Sequence, residues 1–162
     1  MEKHPNLLHV LIGTSLGAGF CPVAPGTAGA VVGVAVWAVL QGLLPAPALT
    51  ATMVALCVVF TLLGAWSATH LEHYWGPDPS RVVMDETVGV WLPLIIVGPG
   101  LWWQAVAALV LFRFFDIVKP LGVRRMERLP AGIGVMADDI LAGAYSLLLI
   151  AAWQVLQAHG LI

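Results

Sequence analysis

Four apolar stretches dominate this chain: Ala28–Leu44, Ala48–Thr69, Thr87–Phe112 and Ile140–Leu156. A helix needs about 20 residues to cross the hydrocarbon core of a bilayer. Ala48–Thr69 meets that length, and Ala28–Leu44 falls slightly short of it. Thr87–Phe112 is long but is cut in half by Pro99-Gly100. Leu7–Phe20 is weaker and predicts a short or interfacial helix. Composition points the same way. Hydrophobic residues make up 60% and charged residues 10% of the 162 residues, against roughly 25% charged in soluble domains. With a mean hydropathy of +0.93, the chain has too few polar side chains to cover its own surface in water. The expected fold is all-α: one membrane-embedded domain over residues 1–162, a polytopic helical bundle with short or re-entrant helices.

Three polar stretches separate the apolar ones. Gly13–Gly29 is rich in Gly and Pro, and His70–Glu86 contains the loop signal Gly76-Pro77-Asp78-Pro79. The third, Arg113–Asp139, carries Arg113, Lys119, Arg124, Arg125 and Arg128. Basic residues favour the cytoplasmic face, and Lys3 and Arg81 ask for the same side. These demands agree only if Thr87–Phe112 enters the membrane and returns, as a re-entrant hairpin or two short tilted spans. A single Pro-kinked helix would put the basic segment outside. The net charge of -2 and the lack of a basic run give no support to a nucleic-acid partner. The oligomeric state is not legible.

Five acidic residues lie within or beside apolar sequence: Asp85, Glu86, Asp116, Asp138 and Asp139. A carboxylate so placed costs several kcal/mol unless it is paired or bound to a metal, and two adjacent pairs repel each other as well. A divalent cation relieves both costs. Oxygen-only ligation favours Mg²⁺ or Mn²⁺ over Zn²⁺. The plainer alternative makes Asp85 or Glu86, and Asp138 or Asp139, N-terminal caps of helices.

Gly17–Gly29 would hold backbone N–H groups in a fixed loop running into a helix, an arrangement able to cradle phosphate. It lacks the Gly-Lys-Ser/Thr ending of a Walker loop, and a plain connection explains it equally well. In Arg113–Pro120, Arg113, Asp116 and Lys119 recur at helical spacing. They form either an ion-pair ladder or a metal ligand between two phosphate-binding cations, and Pro120 ends the helix. His70 and His73 read as a solvated interfacial pair, the tryptophans as interfacial anchors, and Cys21 and Cys57 as packing residues without a disulfide.

Together these segments resemble the phosphatidylglycerophosphatase A family. The likeness is carried by GxGxxPxxPGTxG at Gly17–Gly29, Asp85-Glu86 before Thr87-Val88-Gly89, FRxxDxxKP at Phe112–Pro120, and Asp138-Asp139 with Ala142-Gly143 in the block from Gly134. The blocks stand in the family's order. Departures at Ala30, Gly122 and Ala131 remove no charged group. The resemblance implies a Mg²⁺-dependent membrane phosphatase that converts phosphatidylglycerophosphate to phosphatidylglycerol. Its active site would face the cytoplasm at a bacterial cytoplasmic membrane. It further implies that Asp85, Glu86, Asp116, Asp138 and Asp139 are the metal and catalytic positions, and that Arg113, Lys119 and Pro25-Gly26-Thr27 contact phosphate.

The expected chemistry is metal-assisted hydrolysis of a phosphate monoester, by water or through an aspartyl phosphate. A different lipid-headgroup enzyme is disfavoured because the aspartate run of the CDP-alcohol phosphatidyltransferases is missing. An ion-coupled transporter would place its acids near the midplane and show repeated halves. Here the acids fall at the ends of apolar runs and no repeat is found.

Overall fold

The computed structural model describes residues 4–120, 122–126, 129 and 132–161. Lys3 and Arg128, which entered the orientation argument, and Ala131 lie outside them. Helices take up 77% of the described residues, which include no strand. The helices are α1 (Leu7–Gly13), α2 (Pro25–Leu43), α3 (Ala46–Trp75), α4 (Met84–Leu94), α5 (Trp102–Val118), α6 (Val123–Met126) and α7 (Gly132–Ala158), with a 3₁₀ turn at Ala18–Phe20.

Local chemistry sets the boundaries. Asn6 caps α1 by accepting the Leu8 N–H at 2.9 Å. Pro25 sits in the first turn of α2, where a missing N–H costs nothing. Gly76 (φ 86°) ends α3. Lys119 turns into the left-handed region (φ 48°) at the end of α5, immediately before Pro120. Pro93 lies in the last turn of α4, which stops at Leu94.

The segment from Thr87 to Phe112 is a hairpin and not a kinked helix. Arg113 at the end of α5 reaches Glu86 at the start of α4, so the two run antiparallel. The tip is tied down where the Gly100 N–H donates to Gln41 Oε1 at 3.0 Å, close to the end of α2. The hairpin therefore reaches the far end of the bundle. Its first arm, 11 residues or about 16 Å, is only half a normal span. Among the described residues, three helices are long and apolar enough to cross a bilayer: α2, α3 and α7.

Helix directions follow from pairwise contacts. Trp91 Nε1 donates to the Gly33 carbonyl at 3.0 Å and Trp37 Nε1 to the Val97 carbonyl at 3.4 Å, so α2 and α4 run parallel. Thr50 meets Ile95 and Phe60 meets Trp91, so α3 runs against α4. Trp103 packs on Trp153 and Phe115 on Tyr145, so α5 runs against α7. The starts of α2, α4 and α7 thus share one end with the ends of α3 and α5. Trp37, Phe112, Leu49 and Leu94 fill the centre. Val39, Val58, Val106, Val110, Leu148 and Val155 point outward, as lipid-facing residues do.

Five expectations need correction. The α3 helix continues past Thr69 to Trp75. The α7 helix starts at Gly132, so Asp138 and Asp139 lie inside it and cannot be its caps. Asp85 and Glu86 are in the first turn of α4, but the cap position is Val83 and no side chain caps it. Cys21 is exposed and only Cys57 is buried; neither is in a disulfide. Trp102, Trp103 and Trp153 are half-exposed at the far end, whereas Trp37 and Trp91 belong to the core.

Candidate active site

At the shared end, α4, α5 and α7 bring five carboxylates to one cleft of about 340 Å³, lined by Asp85, Glu86, Asp116, Asp138, Asp139 and Lys119 among others. The four aspartates are nearly sealed from solvent, at 9%, 9%, 6% and 2% exposure in chain order. Glycine makes this convergence possible. Gly89 stands one turn after Asp85 and Gly143 one turn after Asp139. A Cβ on Gly143 would fall against the Gly89 carbonyl and, at 2.8 Å, on Leu92 Cδ1. A Cβ on Gly89 would strike the Phe112 ring and reach the Asp139 carbonyl at 3.0 Å. Bare backbone lets α4 and α7 touch, and each acid lies one turn from that contact.

Hydrogen bonds fix α4 against α2. Thr87 Oγ1 donates toward the Gly29 carbonyl (2.9 Å) and the Val83 carbonyl (3.0 Å), and shares a 2.6 Å bond with Ser15 Oγ. The Val83 N–H donates to the Gly13 carbonyl at 2.8 Å. These contacts hold the first turn of α4 while Asp85 and Glu86 project from it.

Two cations answer part of the charge. Arg113 Nη1 pairs with Asp116 and lies 3.9 Å from Glu86 Oε1. Lys119 Nζ donates to Asp138 Oδ2 at 2.6 Å. Asp85 Oδ1 and Glu86 Oε2 remain buried with no hydrogen-bond partner. One oxygen from each of Asp85, Glu86 and Asp139 can be chosen so that all lie within 4.8 Å of one another. Buried, unpartnered, mutually repelling oxygens in such a group fit a divalent cation: hard oxygen donors of this kind suit Mg²⁺, Mn²⁺ or Ca²⁺.

The other expected residues stand differently. Arg113 does not line the cleft; it braces Asp116 and Glu86 from behind. Pro25 and Thr27 do not line it either. Gly26 comes close: a Cβ there would collide with the Glu86 carboxylate and stand 3.1 Å from Arg113 Nη1. The first turn of α2 therefore backs the site without facing into it. His70 and His73 are outside the cleft, and His70 stacks on His9 at 3.9 Å. Sequence reasoning missed Glu72, Asp78, Ser80 and Gly134 on the cleft wall. Only Gly134, one turn before Asp138, carried a legible signal.

The chain is similar to known proteins. Residues 11–154 match the family described as Phosphatidylglycerophosphatase A. A Bacteroides thetaiotaomicron protein, provisionally named a phosphatidylinositol-3-phosphatase, is 57% identical over 92% of this chain and 95% of its own length. Two proteins named phosphatidylglycerophosphatase A are also similar. The one from Haemophilus influenzae is 38% identical over 92% of this chain and 90% of its own. The one from Escherichia coli is 30% identical over 89% and 81%. No solved structure matches.

Proposed function

Because the chain belongs to the phosphatidylglycerophosphatase A family, we propose that this membrane phosphatase hydrolyses the phosphate monoester of phosphatidylglycerophosphate, giving phosphatidylglycerol and inorganic phosphate with Mg²⁺ as cofactor. The observation that carries the reading is the group of Asp85, Glu86 and Asp139 with two unpartnered buried oxygens, beside Lys119 at the charged end of an apolar bundle.

Asp85, Glu86 and Asp139 would hold the ion. Bound there, Mg²⁺ supplies a Lewis acid that offsets phosphate charge and makes water a better nucleophile. Lys119 lines the cleft on the left-handed last residue of α5, where its ammonium can exchange Asp138 for a phosphate oxygen and stabilise charge in the transition state. Arg113 keeps Asp116 and Glu86 in place, a positioning role. Asp116 and Asp138, each held by a cation, are available to orient the attacking group or take its proton. The first turn of α2, packed behind Glu86, places the positive end of a helix dipole against that carboxylate.

The site is read as facing the cytoplasm. Arg81, Lys119, Arg124 and Arg125 all stand at its end of the bundle, as the positive-inside rule requires. The Bacteroides relative's name supports a second reading, a phosphoinositide as substrate. Both lipids carry a phosphate monoester on a headgroup above two acyl chains, so one site would serve either.

The deciding experiment is phosphate release from each lipid in detergent micelles, with Mg²⁺ and with EDTA, for wild type and Asp139→Asn. Mg²⁺-dependent release from phosphatidylglycerophosphate, lost in the folded variant, supports the proposal. Faster release from phosphatidylinositol 3-phosphate transfers it to the inositol lipid. No release from either by a folded, Mg²⁺-supplied wild type overturns it.

A further inference from the structure

The first part of the glycine-rich loop, Gly17 to Cys21, does not line the acidic cleft, and its contacts show what it does instead. The N–H groups of these residues all donate to backbone carbonyls of Thr14, Ser15, Gly17 and Ala18, so none is left for a phosphate. The 3₁₀ turn packs on Arg81. A Cβ on Gly19 would collide with the Arg81 carbonyl, so glycine lets the two backbones touch. The Arg81 guanidinium stands 5.8 Å from the centres of both the Phe20 and the Trp75 rings, which meet edge to face at 6.2 Å. Two aromatic rings from two elements thus hold one cation in place.

That cation has no anion. Arg113 and Lys119 are engaged by carboxylates, whereas no carboxylate among the described residues pairs with Arg81. An aromatic face attracts a guanidinium but does not neutralise it. Arg81 lines a pocket of about 330 Å³ with Trp75, Pro79 and Ser80. Ser80 also lines the acidic cleft, so the two cavities meet at a common wall. That wall is a turn closed by the Val82 N–H, which donates to the Pro79 carbonyl at 2.8 Å. In the cleft itself Lys119 is the one cation among the described lining residues, and Glu72 and Asp78 add further negative charge. A substrate with a second anion therefore finds its countercharge in the adjoining pocket and not in the cleft.

Phosphatidylglycerophosphate and phosphatidylinositol 3-phosphate each carry such an anion: the phosphodiester that joins the headgroup to diacylglycerol. We infer that Arg81 binds this phosphodiester while the monoester occupies the acidic cleft, so that the two cavities together recognise a monoester and a diester borne on one headgroup. The inference rests on the lipid-phosphatase reading and names the residue that fixes its substrate class. A guanidinium suits the role, because its forked N–H donors match the free oxygens of a phosphodiester. The polyol between the phosphates then passes the common wall at Ser80. The diester is unchanged by the hydrolysis. Arg81 therefore holds substrate and transition state equally and acts on KM more than on kcat.

The test compares wild type, Arg81→Gln and Arg81→Lys on phosphatidylglycerophosphate and on the same lipid with its phosphodiester methylated to a neutral triester, in micelles with Mg²⁺. On the natural lipid, Arg81→Gln is expected to raise KM roughly tenfold with kcat near wild type, and Arg81→Lys to recover part of the loss. On the triester, wild type and Arg81→Gln should share one kcat/KM, because the charge that Arg81 meets is gone. A loss of equal size on both lipids makes Arg81 a contact to bilayer headgroups at large, or a structural brace, and overturns the inference. No loss on either lipid overturns it too. Wild type alone also reads the charge, should a variant fail to fold: its KM should be roughly tenfold higher on the triester, and an equal KM on the two lipids overturns the inference. Inhibition by phosphatidylglycerol, which keeps the diester and lacks the monoester, needs no turnover of the analogue. It should be roughly tenfold weaker against Arg81→Gln, and equal inhibition of the folded variant and wild type counts against the contact. Where wild type prefers phosphatidylinositol 3-phosphate, the same comparison is run on that lipid and its triester, with phosphatidylinositol as the inhibitor. Wild-type release from the natural lipid tests the phosphatase reading by itself, so failure of the Arg81 contact is separable from failure of the reaction.

Discussion

Asp139 is the most enclosed acid of the cleft, at 2% exposure, and it shares a wall with Asp85, Asp116 and Asp138. Without a cation these carboxylates oppose folding through lost hydration and mutual repulsion. Neutralising one of them should then separate stability from activity. In EDTA, Asp139→Asn is expected to melt higher than wild type, and added Mg²⁺ should raise the melting temperature of wild type much more than that of the variant. Activity should fall by on the order of a hundredfold or more. Thermal melts in detergent, with and without Mg²⁺, check all but the rate. A variant that melts lower than wild type in EDTA would mean the carboxylates are stabilised by the protein itself. Gly26 tests the back wall. A Cβ there meets Glu86 at its flexible tip, 3.0 Å from Cδ, and a tip can move at little cost to the fold. Gly26→Ala should leave melting within a few degrees of wild type and cut activity roughly tenfold by displacing Glu86. The acids themselves were legible in the sequence because a charge in apolar sequence needs a reason. The bracing role of Arg113 was not, since helical spacing cannot say whether a side chain faces the cleft or its rear.

Among the helices, α4 and α7 touch through Gly89 and Gly143, and here a methyl group meets backbone that cannot yield. Gly143→Ala must push α7 from the Gly89 carbonyl, which separates Asp85 from Asp139. A destabilisation of about 1–3 kcal/mol is expected from such overpacking, with activity reduced more than the melting shift alone explains. Gly42, also helical in α2, has open space where its Cβ would stand, so Gly42→Ala should be neutral or stabilising by up to about 1 kcal/mol. Paired melting and rate measurements on the two variants check the contrast. Hydropathy found the helices but misjudged their ends, for a physical reason. It reports the solvent a segment prefers, not its backbone conformation. The α3 helix keeps its hydrogen bonds through His70–Trp75 after leaving the apolar run, and α7 begins at Gly132, ahead of the apolar run that starts at Ile140. Proline and glycine gave better boundaries, at Gly76, Pro99-Gly100 and Pro120, because they act on the backbone directly.

Across the whole molecule, no Asp, Glu, Lys or Arg occurs in residues 4–71, 87–112 or 140–162. Every described charge therefore falls at the end where α2, α4 and α7 begin. That polarity makes the hairpin necessary: α4 leaves the charged end and α5 must return to it, bringing Asp116 and Lys119 back to Asp85 and Asp138. A single crossing would have parted the carboxylates by the thickness of the bilayer, so one turn at Pro99-Gly100 both keeps the charges at one end and assembles the site. It predicts a labelling pattern. In a Cys21→Ser, Cys57→Ser background, Arg124→Cys should react with a membrane-impermeant maleimide only after the cytoplasmic face is opened. Leu101→Cys at the hairpin tip and Ala158→Cys at the end of α7 should react from the opposite face in intact cells. If Leu101→Cys and Arg124→Cys were labelled from the same side, the hairpin would turn inside the membrane short of the far surface. If Ala158→Cys joined them, α7 would not cross at all, and the carboxylate cleft could not lie at a single membrane face.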